Sequence, residues 1–544
     1  MKSHHGILVC WLLFAVTAAA AAADSRPNIL FLFADDWGYF ASAYRKVDGS
    51  NSIHAVIKTP NFDRIAQEGV LFTRAHVTAP SCTPCRSSLL SGQYFWRTGL
   101  GAILSGARWD ASIPSYPLLL RTAGYHIGYS YKVWSPGTPA NAPYGTNATA
   151  YNKAGGDINR FSQLVTVAPD KEAKKREIFQ QVADNFDQFL KSRKPGQPWC
   201  FWYGPTLTHR PYERGSGQAI WGIKPDSIKG RLPAFLPDNE IVREDMADYL
   251  GVAQAFDASV GMILKKLEET GELENTLIVM SGDHGMPGVP RGKGNLYNFG
   301  THVSLAARWG GKIPAGRVVE DFVNLMDLAP TFLEAAGEKP PDVMTGRSLM
   351  SVLTSPKSGL VDPLRKFVIT GRERHVDTAR EGNLPYPHRA IRTKDFVYIR
   401  NFAPDRWPMG SPAKSIPDFN ALWNDTRAAF ADMDGSPTKA WLVTHGDETE
   451  TRPLHELAFG LRPAEELFDL QTDPDEIKNV AGNPAYAATK QRLADQLMAE
   501  LKRTGDSRVS GDGSTYDKPP FAGTNATDSS TGPAARKKKA AKAN

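Results

Sequence analysis

Two short apolar runs, each breaking abruptly into acidic residues, constrain this chain more than anything else in it. Asn28 to Ala34 reads NILFLFA and gives way at once to Asp35-Asp36-Trp37-Gly38; Thr276 to Ser281 reads TLIVMS and gives way to Gly282-Asp283-His284-Gly285. An apolar run without alternation suits a strand buried on both faces, and such strands belong to parallel sheets covered by helices. Helical stretches lie between and around them, at Asn61 to Glu68, Pro117 to Ala123 and Glu244 to Glu269. Strands and helices therefore alternate, which predicts an α/β sandwich about a mostly parallel sheet with ligands beyond the carboxyl ends of its strands. Both acidic clusters fall in that place.

The chain has 544 residues, enough for two to four domain-sized units. Residues 1–23 read as a secretory signal: Lys2 and two histidines, an apolar run from Ile7 to Val16, then Ala21-Ala22-Ala23. This predicts a secreted or periplasmic protein. The apolar core is shorter than the roughly 20 residues of a spanning helix, so no stable membrane insertion is expected. Residues 24–360 form the expected α/β catalytic domain. Residues 361–505 change character, with strand-like runs at Lys366 to Thr370 and Phe396 to Asn401 and a closing helix from Pro484 to Arg503, and predict a smaller α+β domain. Residues 506–544 are Lys-rich with few large apolar side chains, the composition of a flexible tail. The net charge is only +6, with Lys and Arg scattered through the body, so there is no nucleic-acid footprint.

The most informative stretch is Pro80-Ser81-Cys82-Thr83-Pro84-Cys85-Arg86-Ser87-Ser88-Leu89-Leu90-Ser91-Gly92. Once Cys10 leaves with the signal, Cys82, Cys85 and Cys200 remain, an odd number and too few for a disulfide framework. Taken alone, Cys82-x-x-Cys85 also reads as a redox pair or half of a zinc site, although no second Cys or Cys/His pair stands at suitable spacing for zinc. Asp35-Asp36 taken alone also reads as a loop or helix-capping pair. The order of motifs is the stronger signal: a strand-ending Asp-Asp, then Cys-x-Pro-x-Arg, then a strand-ending Asp-His-Gly.

In that order the chain resembles the type I sulfatases, from about Arg26 to Arg503. The resemblance implies an alkaline-phosphatase-like sandwich, and a Cys82 converted to formylglycine by a formylglycine-generating enzyme. The chemistry explains the need. A hydrated aldehyde offers one hydroxyl to attack sulfur and a second to expel sulfate by re-forming the carbonyl, which a plain serine cannot do. Arg86, one helical turn on, would stabilise the developing anion. The family more often has Ser or Ala where Cys85 stands. Asp35, Asp36, Asp283 and His284, with the group derived from Cys82, match the family's metal ligands, and three carboxylates favour a hard cation, calcium above magnesium.

The resemblance extends to other residues. Gly124 to Trp134 resembles a second signature usually ending Gly-Lys-x-His: Lys132 matches the sulfate-binding lysine, but Trp134 stands at the histidine. His126, six residues before Lys132, reads as structural. His209, in Thr208-His209-Arg210-Pro211, matches a candidate general acid, and Lys293 matches a contact to sulfate and the leaving atom. Within the family the chain resembles the sulfamidase (heparan N-sulfatase) branch, through Trp37 to Phe40, Asn295-Leu296-Tyr297, the Arg374-His375 region, Tyr386-Pro387-His388-Arg389 and Asn401-Phe402. That implies a sulfated carbohydrate substrate, with Arg374 and His375 pairing with a sugar carboxylate or sulfate. An O-sulfatase acting on another polysaccharide, or an unmodified, inactive glycan-binding protein, remain the other readings.

Overall fold

The computed structural model describes residues 26–517. The signal reading of residues 1–23, and the tail beyond residue 517, lie outside the described residues. Among the described residues no helix is long and apolar enough to cross a membrane.

The first nine strands are β1 (Asn28–Ala34), β2 (Val70–Phe72), β3 (Ala75–His76), β4 (His126–Tyr131), β5 (Trp199–Gly204), β6 (Thr276–Gly282), β7 (Leu305–Arg308), β8 (Arg317–Val319) and β9 (Val323–Asn324). Seven of them form one sheet in the order β4-β5-β1-β6-β7-β2-β8, while β3 and β9 make a small separate pair. The ladders β4-β5, β5-β1, β1-β6 and β2-β8 are parallel; those that β7 makes with β6 and β2 are antiparallel. The expected mostly parallel sheet is thus present, and both acid-ending runs lie at its centre.

β1 shows why an unalternated apolar run was needed. Leu30, Leu32 and Ala34 point into a core shared with the helices Lys171–Ser192 and Glu240–Glu269. Ile29, Phe31 and Phe33 point into the opposite core, against the helices Cys82–Ser91 and Leu328–Ala335. The register pairs Asn28 with Thr276 and Ala34 with Gly282, so β1 and β6 end side by side and deliver Asp35 and Asp283 together.

A second, antiparallel sheet comprises β10 (Phe367–Arg372), β11 (His388–Thr393), β12 (Phe396–Asn401) and β13 (Glu465–Asp469) in sequential order. The helix Ala487–Arg503 covers it with Leu493, Leu497 and Leu501, one apolar residue per turn, against Ile369, Ile391, Tyr398 and Leu467. Residues 402–462 add a helical lobe with its own small core around Leu422, Phe430 and Phe459.

One expectation is corrected. Residues 506–517 do not begin a flexible tail but pack against the second sheet. Asp506 is fully buried and accepts from Arg389 Nε at 2.6 Å, Arg508 pairs with Glu373, and Arg406 donates to Asp517 at 2.8 Å. Composition pointed the other way because this segment is held largely by ion pairs, with Tyr516 and Val509 supplying its apolar contacts.

His302 gives the fold a pH dependence. Its ring stacks on Tyr39 at 3.8 Å, and neither ring nitrogen finds a hydrogen-bond partner among the described residues. Burial pushes its pKa down to about 3. The folded state therefore binds fewer protons than the unfolded chain, so this contribution is complete above the unfolded value of about 6.5 and is lost as pH falls from there towards 3. His302→Phe is expected to remove roughly 2 kcal/mol of the stability lost between pH 7.5 and 5. Urea unfolding of both proteins at the two pH values checks this, and parallel acid losses would refute it.

Candidate active site

The acidic residues project from the carboxyl ends of β1 and β6. Asp36 adopts a left-handed backbone, φ 56°, a conformation aspartate tolerates better than most residues. Three bonds hold it there: its amide donates to Asp283 Oδ1 at 2.6 Å, its carbonyl accepts from Tyr249 Oη at 2.9 Å, and Tyr249 accepts in turn from the Gly38 amide at 3.0 Å. After His284 the chain must be glycine, because a Cβ on Gly285 would lie 1.8 Å from the Phe299 carbonyl.

The helix Cys82–Ser91 points its N-terminus into this cluster. Cys82 is its first residue, and the Cys82 Sγ lies 3.4 Å from His284 Nε2 and 3.7 Å from Asp36 Oδ1. Burial and the Asp35 charge push the Cys82 thiol well above its ordinary value, against the opposing pull of Lys132 and Lys293. As encoded, the residue is a neutral thiol. Cys85 turns away into the core beside Phe31 and Phe33, and no disulfide joins it to Cys82. Cys85 fills a small buried position, which is what Ser or Ala would also do.

Arg86 is the hub beneath the site. Its Nε donates to Asp283 at 2.9 Å, one terminal nitrogen to Asp35 at 3.0 Å, and the other to the carbonyls of Lys132 and Val133, each at 3.1 Å. The guanidinium therefore fixes the metal-type carboxylates and the Lys132 strap, and all three of its nitrogens are engaged. Lys132 Nζ donates to both oxygens of Asp35 at 2.6 and 2.7 Å, and Lys293 Nζ to Asp36 at 3.0 Å. Burial alone would raise Asp35, but Lys132, Arg86 and His209 hold it well below the usual carboxylate range. Asp283 moves the other way: burial raises it, and the neighbouring Asp35 and Asp36 charges add to that against His284 and Arg86.

Asp36, Cys82, Asp283 and His284 each bring a ligand atom within 4.8 Å of the others, and Asp35, Asp36 and His209 form a second such group. Together the two groups hold three carboxylates, two imidazoles and one thiol, and the carboxylates with His284 make a mainly oxygen set that fits a hard divalent cation. Three carboxylates face the three cations Arg86, Lys132 and Lys293, so a divalent metal and an anionic substrate would enter as a nearly balanced pair.

His209 is the most open of these groups, its side chain 35% exposed, with Nε2 3.9 Å from Asp36 and Nδ1 2.6 Å from the Arg210 carbonyl. The carbonyl claims the Nδ1 proton, which leaves Nε2 to take and release one. Arg210 anchors this loop by a two-pronged pair with Asp245, both bonds 2.8 Å.

Trp134, at the family's histidine position, is fully buried and donates to Ser87 Oγ at 2.7 Å. It has no part in proton transfer. The ring of His126 stacks on Phe189, away from the site. Arg374 and His375, expected as sugar contacts, lie buried. Each is only 2% exposed; Arg374 donates to the Tyr516 carbonyl at 2.9 Å, and His375 Nδ1 meets Ser81 Oγ at 2.8 Å, behind the nucleophile.

Asp434 was missed. Its carboxylate lies 3.4 Å from Lys293 Nζ, although it comes from the helical lobe and no strand-ending motif flags it in Asp432-Met433-Asp434-Gly435.

Comparison with known proteins places this arrangement. The family model described as "Sulfatase" matches residues 27–338, and that described as "N-sulphoglucosamine sulphohydrolase, C-terminal" matches residues 291–429. Human N-sulphoglucosamine sulphohydrolase is 28% identical over 516 residues, covering 89% of this chain and 92% of its own. An ulvan-active sulfatase of Formosa agariphila is 26% identical over 495 residues, 88% of this chain and 76% of its own. The solved structure of BT4656 with its substrate D-glucosamine-2-N,6-O-disulfate superposes with a TM-score of 0.59 at 19% identity, over 90% of this chain and 100% of that one. At that identity the likeness speaks for the fold alone, the alkaline-phosphatase-like sandwich that the sequence resemblance implied.

Proposed function

Because this chain belongs to the sulfatase family, we propose that it is an exported N-sulfatase that removes sulfate from N-sulfoglucosamine units of a heparan-type glycan, with a formylglycine made from Cys82 and a calcium ion. Sulfatase action on sulfated glycans rests on the family match and the relatives. The N-sulfate reading is supported by the match of residues 291–429 to the sulphohydrolase C-terminal model and by the human relative. The observation that carries the mechanism is the meeting of Cys82 with Asp36 and His284 at a helix N-terminus, between two lysines.

In place of the thiol, formylglycine supplies a hydrated aldehyde, one hydroxyl to attack sulfur and a second to release sulfate. Asp35, Asp36, Asp283 and His284 would hold calcium, which when bound supplies positive charge for a sulfate oxygen. Lys132 and Lys293 orient the sulfate and neutralise its charge. His209 Nε2 delivers a proton to the departing nitrogen, so that an amine and not an amide anion leaves. Arg86 acts as a positioning residue through the carboxylates.

Mass spectrometry of the Cys82 peptide from the exported protein tests the nucleophile: the reading expects a peptide about 18 Da lighter, CHO in place of CH2SH. A panel of N-sulfated and O-sulfated glucosamines then separates this reading from an O-sulfatase, which a relative named N-acetylglucosamine-6-O-sulfatase favours. An intact Cys82 in a protein that binds but does not turn over glycans would point to an inactive homologue. Exhaustive treatment with EGTA is expected to stop turnover and lower the thermal midpoint, both restored by calcium, since a metal bound only by the folded state stabilises it. Full activity after chelation would exclude a calcium requirement.

A further inference from the structure

Asp434 is a carboxylate where an anion must bind. Its Oδ2 is 3.4 Å from Lys293 Nζ, which itself reaches Asp36 at 3.0 Å. The charges of Lys293, His209, His375 and Arg210, all on other elements, hold its carboxyl below the usual carboxylate range against its burial. Its side chain is 18% exposed and that of His209 35%, so both reach the opening of the site while the metal-type residues lie beneath.

Asp434 is also held from both sides. Two residues before it, Asp432 accepts from Arg380 at 2.7 Å and from the Val376 amide at 3.0 Å. Beyond it, Ser436 Oγ donates to the Gly288 carbonyl at 2.5 Å and Thr438 Oγ1 to Asp245 at 2.6 Å. A fixed negative charge here opposes sulfate binding, a cost that becomes discrimination if one substrate class recovers it.

We propose that Asp434 selects for a leaving nitrogen, its carboxylate receiving the ammonium that hydrolysis of an N-sulfate releases. The inference rests on the N-sulfatase reading above and deepens it. The balance of the two reactions differs in the product. For a sulfamate, R–NH–SO3⁻ and water give R–NH3⁺ and SO4²⁻: the S–N bond breaks, its electron pair stays on nitrogen, and nitrogen gains two protons. For an ester, R–O–SO3⁻ and water give neutral R–OH, SO4²⁻ and a released proton. Only the first creates a cation for Asp434 to pair with, beside Lys293 and His209. An alcohol gains far less from the same carboxylate.

The test compares wild type with Asp434→Asn and Asp434→Glu on N-sulfoglucosamine and on glucosamine-6-O-sulfate. For Asp434→Asn, kcat/KM on the N-sulfate is expected to fall roughly 10- to 100-fold, the worth of one charge-assisted hydrogen bond, and at least ten-fold further than on the O-sulfate. Asp434→Glu should recover part of the difference. A second measurement needs no turnover: titration calorimetry with glucosamine and N-acetylglucosamine, where wild type prefers the ammonium sugar and Asp434→Asn loses that preference. Equal losses on both substrates, or an unchanged preference between the two sugars, would overturn the proposal and leave Asp434 as a support for Lys293. Failure of the underlying reading looks different: wild type itself would hydrolyse the O-sulfate and leave the N-sulfate untouched.

Discussion

Cys82→Ser is expected to bring steady-state turnover down by at least about 10⁴-fold while leaving a single event possible. Serine retains a hydroxyl in the same place, at the helix N-terminus between Asp36 and His284. It can accept a sulfuryl group, but it lacks the second hydroxyl whose collapse to a carbonyl would expel sulfate. The variant should therefore stop after one event, with the peptide carrying residue 82 heavier by about 80 Da, one SO3, after exposure to substrate. Cys82→Ala should be as inactive and show no mass gain. Sustained turnover by either variant would remove residue 82 from the chemistry altogether. Both substitutions are small changes in a well-packed place, so a matched urea midpoint separates lost chemistry from lost folding.

Arg86→Met should cost about 3–5 kcal/mol of stability, the usual penalty for breaking a buried ion pair from one side. Asp35 and Asp283 are 1% and 0% exposed, and each loses a bond of 3.0 Å or less to this guanidinium. Two carboxylates would be left in a nearly dry site with Lys132 alone to compensate on the Asp35 side. Activity should fall with stability, because the carbonyls of Lys132 and Val133 lose the donor that ties that strap to the nucleophile helix. Arg86→Lys keeps the charge but not the planar fork, so it should recover only part of either loss. Urea unfolding and calcium titration of both variants check this. A loss below about 1 kcal/mol for the methionine variant would mean that the carboxylates find other partners.

The residues of the site that lay in local patterns were legible. Asp35, Asp36, Asp283 and His284 each follow an apolar run, and the register of β1 on β6 turns that sequence feature into adjacency. Cys82 and Arg86 share one helix, four residues apart, so their relation was fixed before any tertiary contact. Lys132, His209 and Lys293 meet these groups because each follows β4, β5 or β6 out of the same edge. Less legible were positions with no element to carry them. Arg374 and His375 were read by resemblance alone, and nothing in their spacing said that they would be buried with bonds to the Tyr516 carbonyl and to Ser81. Asp434 was invisible for the opposite reason: its position depends on anchors at Gly288 and Asp245, 148 and 193 residues away from the residues that grip them. The packing of residues 506–517 likewise depends on partners such as Glu373 and Arg389 that composition does not report.

Every residue of the helix Cys82–Ser91 is buried, and Cys82 itself is 2% exposed. Time therefore matters to this protein as well as shape. If Cys82 is converted to formylglycine as proposed above, the converting enzyme must reach a thiol that the finished fold buries. On that reading the window for the encounter closes when the central sheet assembles, and pairing β1 with β6 across more than 240 residues of chain is a contact of the long-range kind that slows folding. Slow folding here is an opportunity: the same long-range topology that brings the carboxylates together delays the moment at which their nucleophile is sealed in. A variant that folds faster would be expected to emerge as stable as its parent yet with a larger fraction of molecules still carrying the original thiol.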